Sequence, residues 1–241
     1  MSSNTLPAID DEISVISCLS QQDARIELTK SFRGLVLQQD VRVLEVNPED
    51  AVFRISNLEM SPALEGDVYL HSPSFPKPVM AQFKSLDTRK CILVLSDFAY
   101  IEMELKKRQH ERVQPKQPTF VTLHWRGKAH RTSLNNISIN GMGILACKNI
   151  ESEIRIRPGS KIKLEFQLSP DQIDMILKGT IIYINTIDRY LTTIGIQLFP
   201  KAREARLLKE YIAPRKQEIL EELTQAYWKL TKPRGIESLY F

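Results

Sequence analysis

The sequence predicts a mainly β protein: two small antiparallel β domains in tandem, followed by a helical C-terminal segment. Three observations carry this. Short apolar or alternating runs recur from Val41 onward, each cut off by turn formers, and no helical stretch of the kind a parallel α/β sheet needs intervenes. A basic, proline-interrupted segment, KKRQHERVQPKQP, divides the runs into two groups. From Lys201 the apolar spacing becomes that of a helix.

Taken in order, residues 1–19 read as a polar leader with neither a basic nor an apolar targeting region. Ser20 to Leu37 sets Ala24, Ile26, Leu28, Phe32 and Leu35 loosely at helical spacing, which predicts a short amphipathic helix or a helix running into a strand. VRVLEV, AVFRIS, GDVYLHS, VMAQFKSL and CILVLS follow as strands, parted by NPED, SPALEG, PSFPKP and DTRK. Residues 20–104 thus form a first β domain, a barrel or a sandwich. Residues 105–118 are a linker, since Pro115 and Pro118 cannot continue a helix. TFVTLHW, RGKAHRTSLNNIS, GMGILA, KIKLEFQL, MILKGTIIYINT and YLTTIGIQLF supply about six strands of a second β domain. Leu207, Leu208, Tyr211 and Ile212 then share a helix face, and Pro214 opens a further segment, 213–241, through Ile219, Leu220, Leu223, Tyr227 and Leu230. One kinked helix or two consecutive helices fit; the tail KPRGIESLYF has no periodicity and is expected to fray.

Composition narrows the function classes. With 42% hydrophobic and 26% charged residues, 241 residues can bury one or two real cores. No apolar run approaches the roughly 18 residues of a membrane span, which predicts a cytoplasmic protein. A net charge of +4, from 33 basic and 29 acidic residues, is too mild to imply a polyanionic partner. Cys18, Cys91 and Cys147 are widely spaced in apolar surroundings, as buried reduced thiols are.

Two local features stand out: Arg108-Gln-His-Glu-Arg112 at the domain boundary, and Asn136-Ile-Ser138-Ile-Asn-Gly141 at a strand junction beyond it. Each alone is an ordinary pattern, the first of a solvated basic face, the second of a turn. Their order, with a β domain and then a helix following, resembles the PilZ family over about Lys106 to Ile212. In that family an RxxxR stretch leads into a small β-barrel, a (D/N)xSxxG stretch sits on an early strand, and the two jointly hold cyclic di-GMP. Gly195 in TTIGIQLF is a looser match to the family's penultimate strand.

The resemblance implies a C-terminal PilZ barrel over 108–212 and a ligand, cyclic di-GMP, held by Arg108, Arg112, Asn136, Ser138 and Gly141. Lys107 occupies the position that tends to decide ligand stoichiometry, and a cation there favours two stacked molecules over one. The residue types suit the ligand. Arginine's planar fork donates in pairs to guanine O6/N7 or to phosphate, and its face stacks on a purine. Asn136 can meet a guanine edge, Ser138 offers a small hydroxyl, and Gly141 permits close backbone approach or a positive φ. Gly143 reads as structural.

The domain order further resembles the YcgR-like arrangement, in which an N-terminal β domain precedes the PilZ domain, although the N-terminal half carries no motif that matches residue by residue. That arrangement implies two small β-barrels in tandem with a C-terminal helix. It also implies a receptor whose interdomain geometry changes on binding and relays the signal to a protein partner, such as the flagellar motor or secretion or polysaccharide machinery, controlling motility, attachment or biofilm. Such a receptor is no enzyme, needs no cofactor beyond its ligand, and is a monomer or homodimer. A nucleic-acid-binding transcription regulator is the alternative, motivated by the basic stretch Lys106 to Lys116 and the basic C-terminal helices. Against it, no helix-turn-helix and no basic stripe with interleaved aromatics is visible.

Other chemistries fit less well. Gly141-Met-Gly143 lacks the Gly-Lys-Ser/Thr and the helix of a phosphate loop. His124 and His130 with Cys147 match no compact zinc spacing. Glu221 and Glu222 lie on a helix rich in Lys and Arg, as salt-bridge partners do, and no nucleophile, base and orienter form a triad.

Overall fold

The computed structural model describes residues 9–20, 25–102, 110–147, 156–168 and 174–231, with side chains from residue 14 onward. It divides into two compact units. Among the described residues, one gathers 110–218 together with Arg33–Leu35, and the other gathers 9–32, 36–102 and 219–231. Each unit contains a closed, six-stranded antiparallel barrel.

The first barrel follows helix α1 (Ile9–Leu19) and comprises β1 (Ile26–Phe32), β2 (Leu35–Val46), β3 (Asp50–Ile55), β4 (Asp67–His71), β5 (Val79–Asp87) and β6 (Ile92–Tyr100). A single 3-10 turn at Ser61–Ala63 precedes β4. The strand order is β1-β2-β3-β6-β5-β4, and β4 returns to β1 with Leu28 opposite Leu70. Alternate residues fill the interior: Leu28, Phe53, Leu70, Val79, Leu93, Leu95 and Phe98 are fully buried.

Two expectations need correction here. No helix occupies Ser20 to Leu37 among the described residues; Ile26–Phe32 and the residues from Leu35 are strands. Ile26 and Leu28 lie two apart, which is strand spacing, and Arg33 (φ 47°) with Gly34 (φ 89°) makes the two-residue turn of a tight hairpin. The helix lies earlier, within the segment read as a polar leader. There Val15 and Leu19, one turn apart, are buried in the first core while α1 packs on β6.

The second barrel comprises β7 (Phe120–Trp125), β8 (Lys128–Ile137), β9 (Gly141–Cys147), β10 (Lys161–Phe166), β11 (Met175–Thr186) and β12 (Leu191–Leu198). Its order is β10-β11-β12-β9-β8-β7, closed by β10 pairing β7. Arg126 (φ 48°) and Gly127 (φ 76°) form the β7–β8 turn with the same chemistry as Arg33-Gly34. Val121, Leu123, Ile137, Met142, Ile144, Leu164 and Ile181 fill the lumen. With the lumen packed, a polar ligand has only the outer wall.

Helix α2 (Ala202–Thr231) closes the described chain as one element with Pro214 inside it. The cysteines are free, but only partly as expected: Cys18 and Cys91 are half-buried, and Cys147, at the outward-facing end of β9, is exposed. Among the described residues no helix is long and apolar enough to cross a membrane, and no cluster of His, Cys, Asp and Glu could hold a metal ion.

Candidate functional site

The site is assembled by a short bridge. Val113, fully buried, exchanges two backbone hydrogen bonds with Ile137 at the end of β8, each 2.9 Å. This fastens the stretch that carries Arg112 alongside the stretch that carries Asn136 and Ser138. Lys107 and Arg108 lie outside the described residues.

Asn136 is aimed by a β-bulge. The β8–β9 register shifts between Leu134 and Asn136, after which Asn136 stands opposite Gly143 and Ile137 opposite Met142. Met142 and Ile144 point into the core, so Gly141 and Gly143 face outward. A Cβ on Gly143 would stand 3.0 Å from both the Oδ1 and the Nδ2 of Asn136. The missing side chain of Gly143 is the space the carboxamide occupies, and its role is therefore tied to the site rather than to the barrel alone.

Gly141 does the same for Arg112. A Cβ there would meet Arg112 Nη2 at 3.3 Å and Ser138 Oγ at 3.2 Å, and Gly141 is not among the positive-φ residues. Close approach, not an unusual backbone angle, is what the position requires. Arg112, half-buried, reaches Asn136 Oδ1 with Nη1 at 3.5 Å, a contact long enough to be given up to a better acceptor. Ser138 is buried, and its hydroxyl donates to the Gly141 carbonyl (3.2 Å) while its backbone N–H donates to the same oxygen (2.7 Å). It braces the turn that brings Gly141 back under Arg112. The two motif stretches also meet through His110 Nε2 and Asn140 Nδ2, 3.1 Å apart, a pair that sequence reasoning passed over.

The linker strip is held from behind by helix α2. Arg215, almost fully buried, donates from Nε to the Gln114 carbonyl (3.0 Å) and from Nη1 to Glu218 (2.9 Å). Lys216 pairs with Glu111 at 2.6 Å, and Lys116 with Glu218 at 3.4 Å. Arg215, and after it Lys116, hold the Glu218 carboxyl below its usual range, while burial pushes the Tyr211 phenol up. Arg112 is thus flanked by a barrel strand on one side and by tethers to a helix on the other.

Of the residues expected to bind, Arg112, Asn136, Ser138 and Gly141 come together, and Gly143, His110 and Asn140 join them. Gly143 was findable: a turn closing at Ser138–Gly141 puts 137 opposite 142 and 136 opposite 143. The arrangement offers a planar cationic fork, an amide with both donor and acceptor, and a floor of bare backbone. Groups of these types can hold a polar, flat or anionic ligand.

What these features define is a small closed barrel with a packed lumen and a polar site on its outer wall. Residues 106–213 match the family model for the PilZ domain. An uncharacterized protein of Aquifex aeolicus (strain VF5) is 26% identical over 192 residues, which is 78% of this chain and 85% of that protein. Among solved structures, YcgR from Escherichia coli in complex with c-di-GMP is similar, with 15% identity and a TM-score of 0.45 over 90% of this chain and 95% of that one. The K. pneumonia MrkH-c-di-GMP complex shows 12% identity and a TM-score of 0.45 over 89% and 97%.

Proposed function

We propose that this chain is a cyclic di-GMP receptor, with Arg108, Arg112, Asn136 and the Ser138–Gly141 turn of its PilZ domain as the binding surface. The observation that carries the reading is the Val113–Ile137 bridge, which sets the Arg112 guanidinium beside the Asn136 carboxamide and over Gly141. Cyclic di-GMP presents two phosphates and two guanine O6/N7 edges, each an acceptor surface for an arginine fork. Asn136 takes the remaining guanine edge, and Ser138 acts through the turn. Arg108 supplies the second fork, and Lys107 biases the stoichiometry toward two stacked ligands.

The receptor acts in the cytoplasm, without catalysis. Binding at the 105–118 linker shifts the N-terminal domain, 20–104, relative to the PilZ barrel. A protein partner in motility, attachment or biofilm formation reads the new surface.

Calorimetric titration of cyclic di-GMP into the full chain tests this, with Arg108→Ala, Arg112→Ala and Asn136→Ala beside it and GTP as a control. Micromolar or tighter binding that is lost in either arginine variant supports the reading, and the measured stoichiometry decides the part given to Lys107. Absence of heat with the wild-type chain overturns it.

A further inference from the structure

Two hairpins share one turn chemistry and differ in what surrounds them. Arg33-Gly34 joins β1 to β2 at φ 47° and 89°, and Arg126-Gly127 joins β7 to β8 at φ 48° and 76°. In both, glycine takes the second left-handed position that a two-residue turn requires. A Cβ on Gly127 would have nothing within 4 Å, so the turn alone accounts for that glycine. A Cβ on Gly34 would stand 3.0 Å from the Arg112 carbonyl oxygen, 3.2 Å from the Arg112 carbonyl carbon and 3.2 Å from the Gln114 nitrogen. All three are backbone atoms, which cannot swing aside as a side-chain tip can.

The strip that Gly34 touches is the one that carries the guanidinium of the proposed site. In an extended segment, successive residues turn their N–H and C=O groups to opposite edges. Val113 uses both of its groups on Ile137, each bond 2.9 Å. Gln114 faces the other way: its N–H donates to the Arg33 carbonyl (2.8 Å), and its C=O accepts from Arg215 Nε (3.0 Å). Arg33–Leu35 accordingly falls within the same compact unit as residues 110–218. With Val113 and Gln114 tied on their two edges, the carbonyl of Arg112 rests on the bare backbone of Gly34.

We infer that the Arg33-Gly34 turn is a positioning element for ligand binding, with Gly34 as the seat that sets where the Arg112 backbone, and so its guanidinium, stands relative to Asn136 and Gly141. The inference rests on the receptor reading. Residue 34 acts through Arg112. A methyl group there forces the strip to give by a few tenths of an ångström. Val113 stays pinned to Ile137, so the displacement falls on Arg112, whose reach to Asn136 Oδ1 is already 3.5 Å. Binding groups have to be held within about 0.5 Å of their working geometry, and a fork that meets two acceptors at once loses one of them when it tilts.

Calorimetric titration of cyclic di-GMP into the full chain tests this by comparing Gly34→Ala with Gly127→Ala. Both substitutions strain a left-handed position, and only the first presses on Arg112. Gly34→Ala is expected to lose about tenfold in affinity, and Gly127→Ala to stay within about threefold of wild type. Equal affinities of the two variants overturn the inference. In an Arg112→Lys background the loss from Gly34→Ala is expected to shrink to about threefold or less, because the fork whose aim it spoils is gone. A loss as large as in the wild-type background means that residue 34 acts on the structure at large, and it too overturns the inference. Should Gly34→Ala fail to fold, the wild-type chain decides: a ligand that needs the seated strip also holds it in place, so exchange of the Gln114 amide hydrogen slows about tenfold or more in the saturated complex. An unchanged exchange rate overturns the inference. Absence of binding by the wild-type chain marks failure of the receptor reading itself and is distinct from all of these results.

Discussion

A single methyl group separates a working site from a displaced one at Gly143. Its Cβ would press on both polar atoms of the Asn136 carboxamide at 3.0 Å, tighter than ordinary packing allows. Gly143→Ala is expected to rotate Asn136 off its rotamer at a strain of about 1 kcal/mol, with little change in melting temperature and about a tenfold loss of cyclic di-GMP affinity by calorimetry. Unchanged affinity would show that the carboxamide position is irrelevant. Arg112→Lys keeps the charge but gives up the fork, so affinity should fall about tenfold or more while the fold is untouched. The motif residues were legible because their chemistry is written in their type. Gly143 is legible only indirectly, because its importance lies in which residue it faces, and that emerges once the register is counted across the Ser138–Gly141 turn.

At the scale of elements, the decisive joint is between helix α2 and the Glu111–Lys116 strip. Arg215 is the buried side of it, bonded to the Gln114 carbonyl and to Glu218. Arg215→Ala removes the donor to that carbonyl and should cost about 1–3 kcal/mol in urea unfolding, and it should weaken cyclic di-GMP binding although residue 215 is not in the site. A variant that unfolds like wild type and binds like wild type would refute the joint. Glu218 adds a pH signature. Its folded pKa is lowered, first by the Arg215 hydrogen bond, so its contribution is present above the ordinary value of 4.5 and is lost as the pH falls through the lowered folded value. Its side chain is 40% exposed, which limits the contribution to about 1 kcal/mol or less. Glu218→Gln should therefore narrow the stability gap to wild type as the pH is taken from 7 down through the carboxylate range, measured by thermal melts; a gap that stays constant with pH refutes it. The strands were legible from alternation, and the C-terminal helix from its period. The N-terminal helix is obscured because Ile9–Leu19 opens on three acidic residues, Asp10, Asp11 and Glu12, and the Ser20 to Leu37 stretch suggests a helix because apolar residues at even spacing over a short window satisfy both periods.

For the whole molecule, two barrels with separate cores make ligand-linked stability a local matter. A ligand that binds only the folded PilZ barrel stabilises it by about 2.7 kcal/mol at a hundredfold excess over Kd. Scanning calorimetry with and without cyclic di-GMP should raise the unfolding of the unit that carries Arg112, and Arg112→Ala should abolish that rise. An identical trace in both conditions would contradict the receptor reading. The tandem β architecture itself was readable from the sequence, because each barrel's turns are spelled in Asn, Asp, Gly and Pro and its strands in alternation.

Both sheets close on themselves, and closure restricts how anything else can recognise this protein. A sheet with no open edge has no row of unpaired backbone groups to lend to another chain, so added strands and domain exchange through a ladder are shut off. Whatever meets either barrel must read side chains standing out from its wall. A saturating mutational scan for loss of partner binding should then print a signature along each strand: every second position sensitive, the ones between silent except where the core itself fails, and the phase of that stripe reversing at the bulges beside Asn136 and Tyr183.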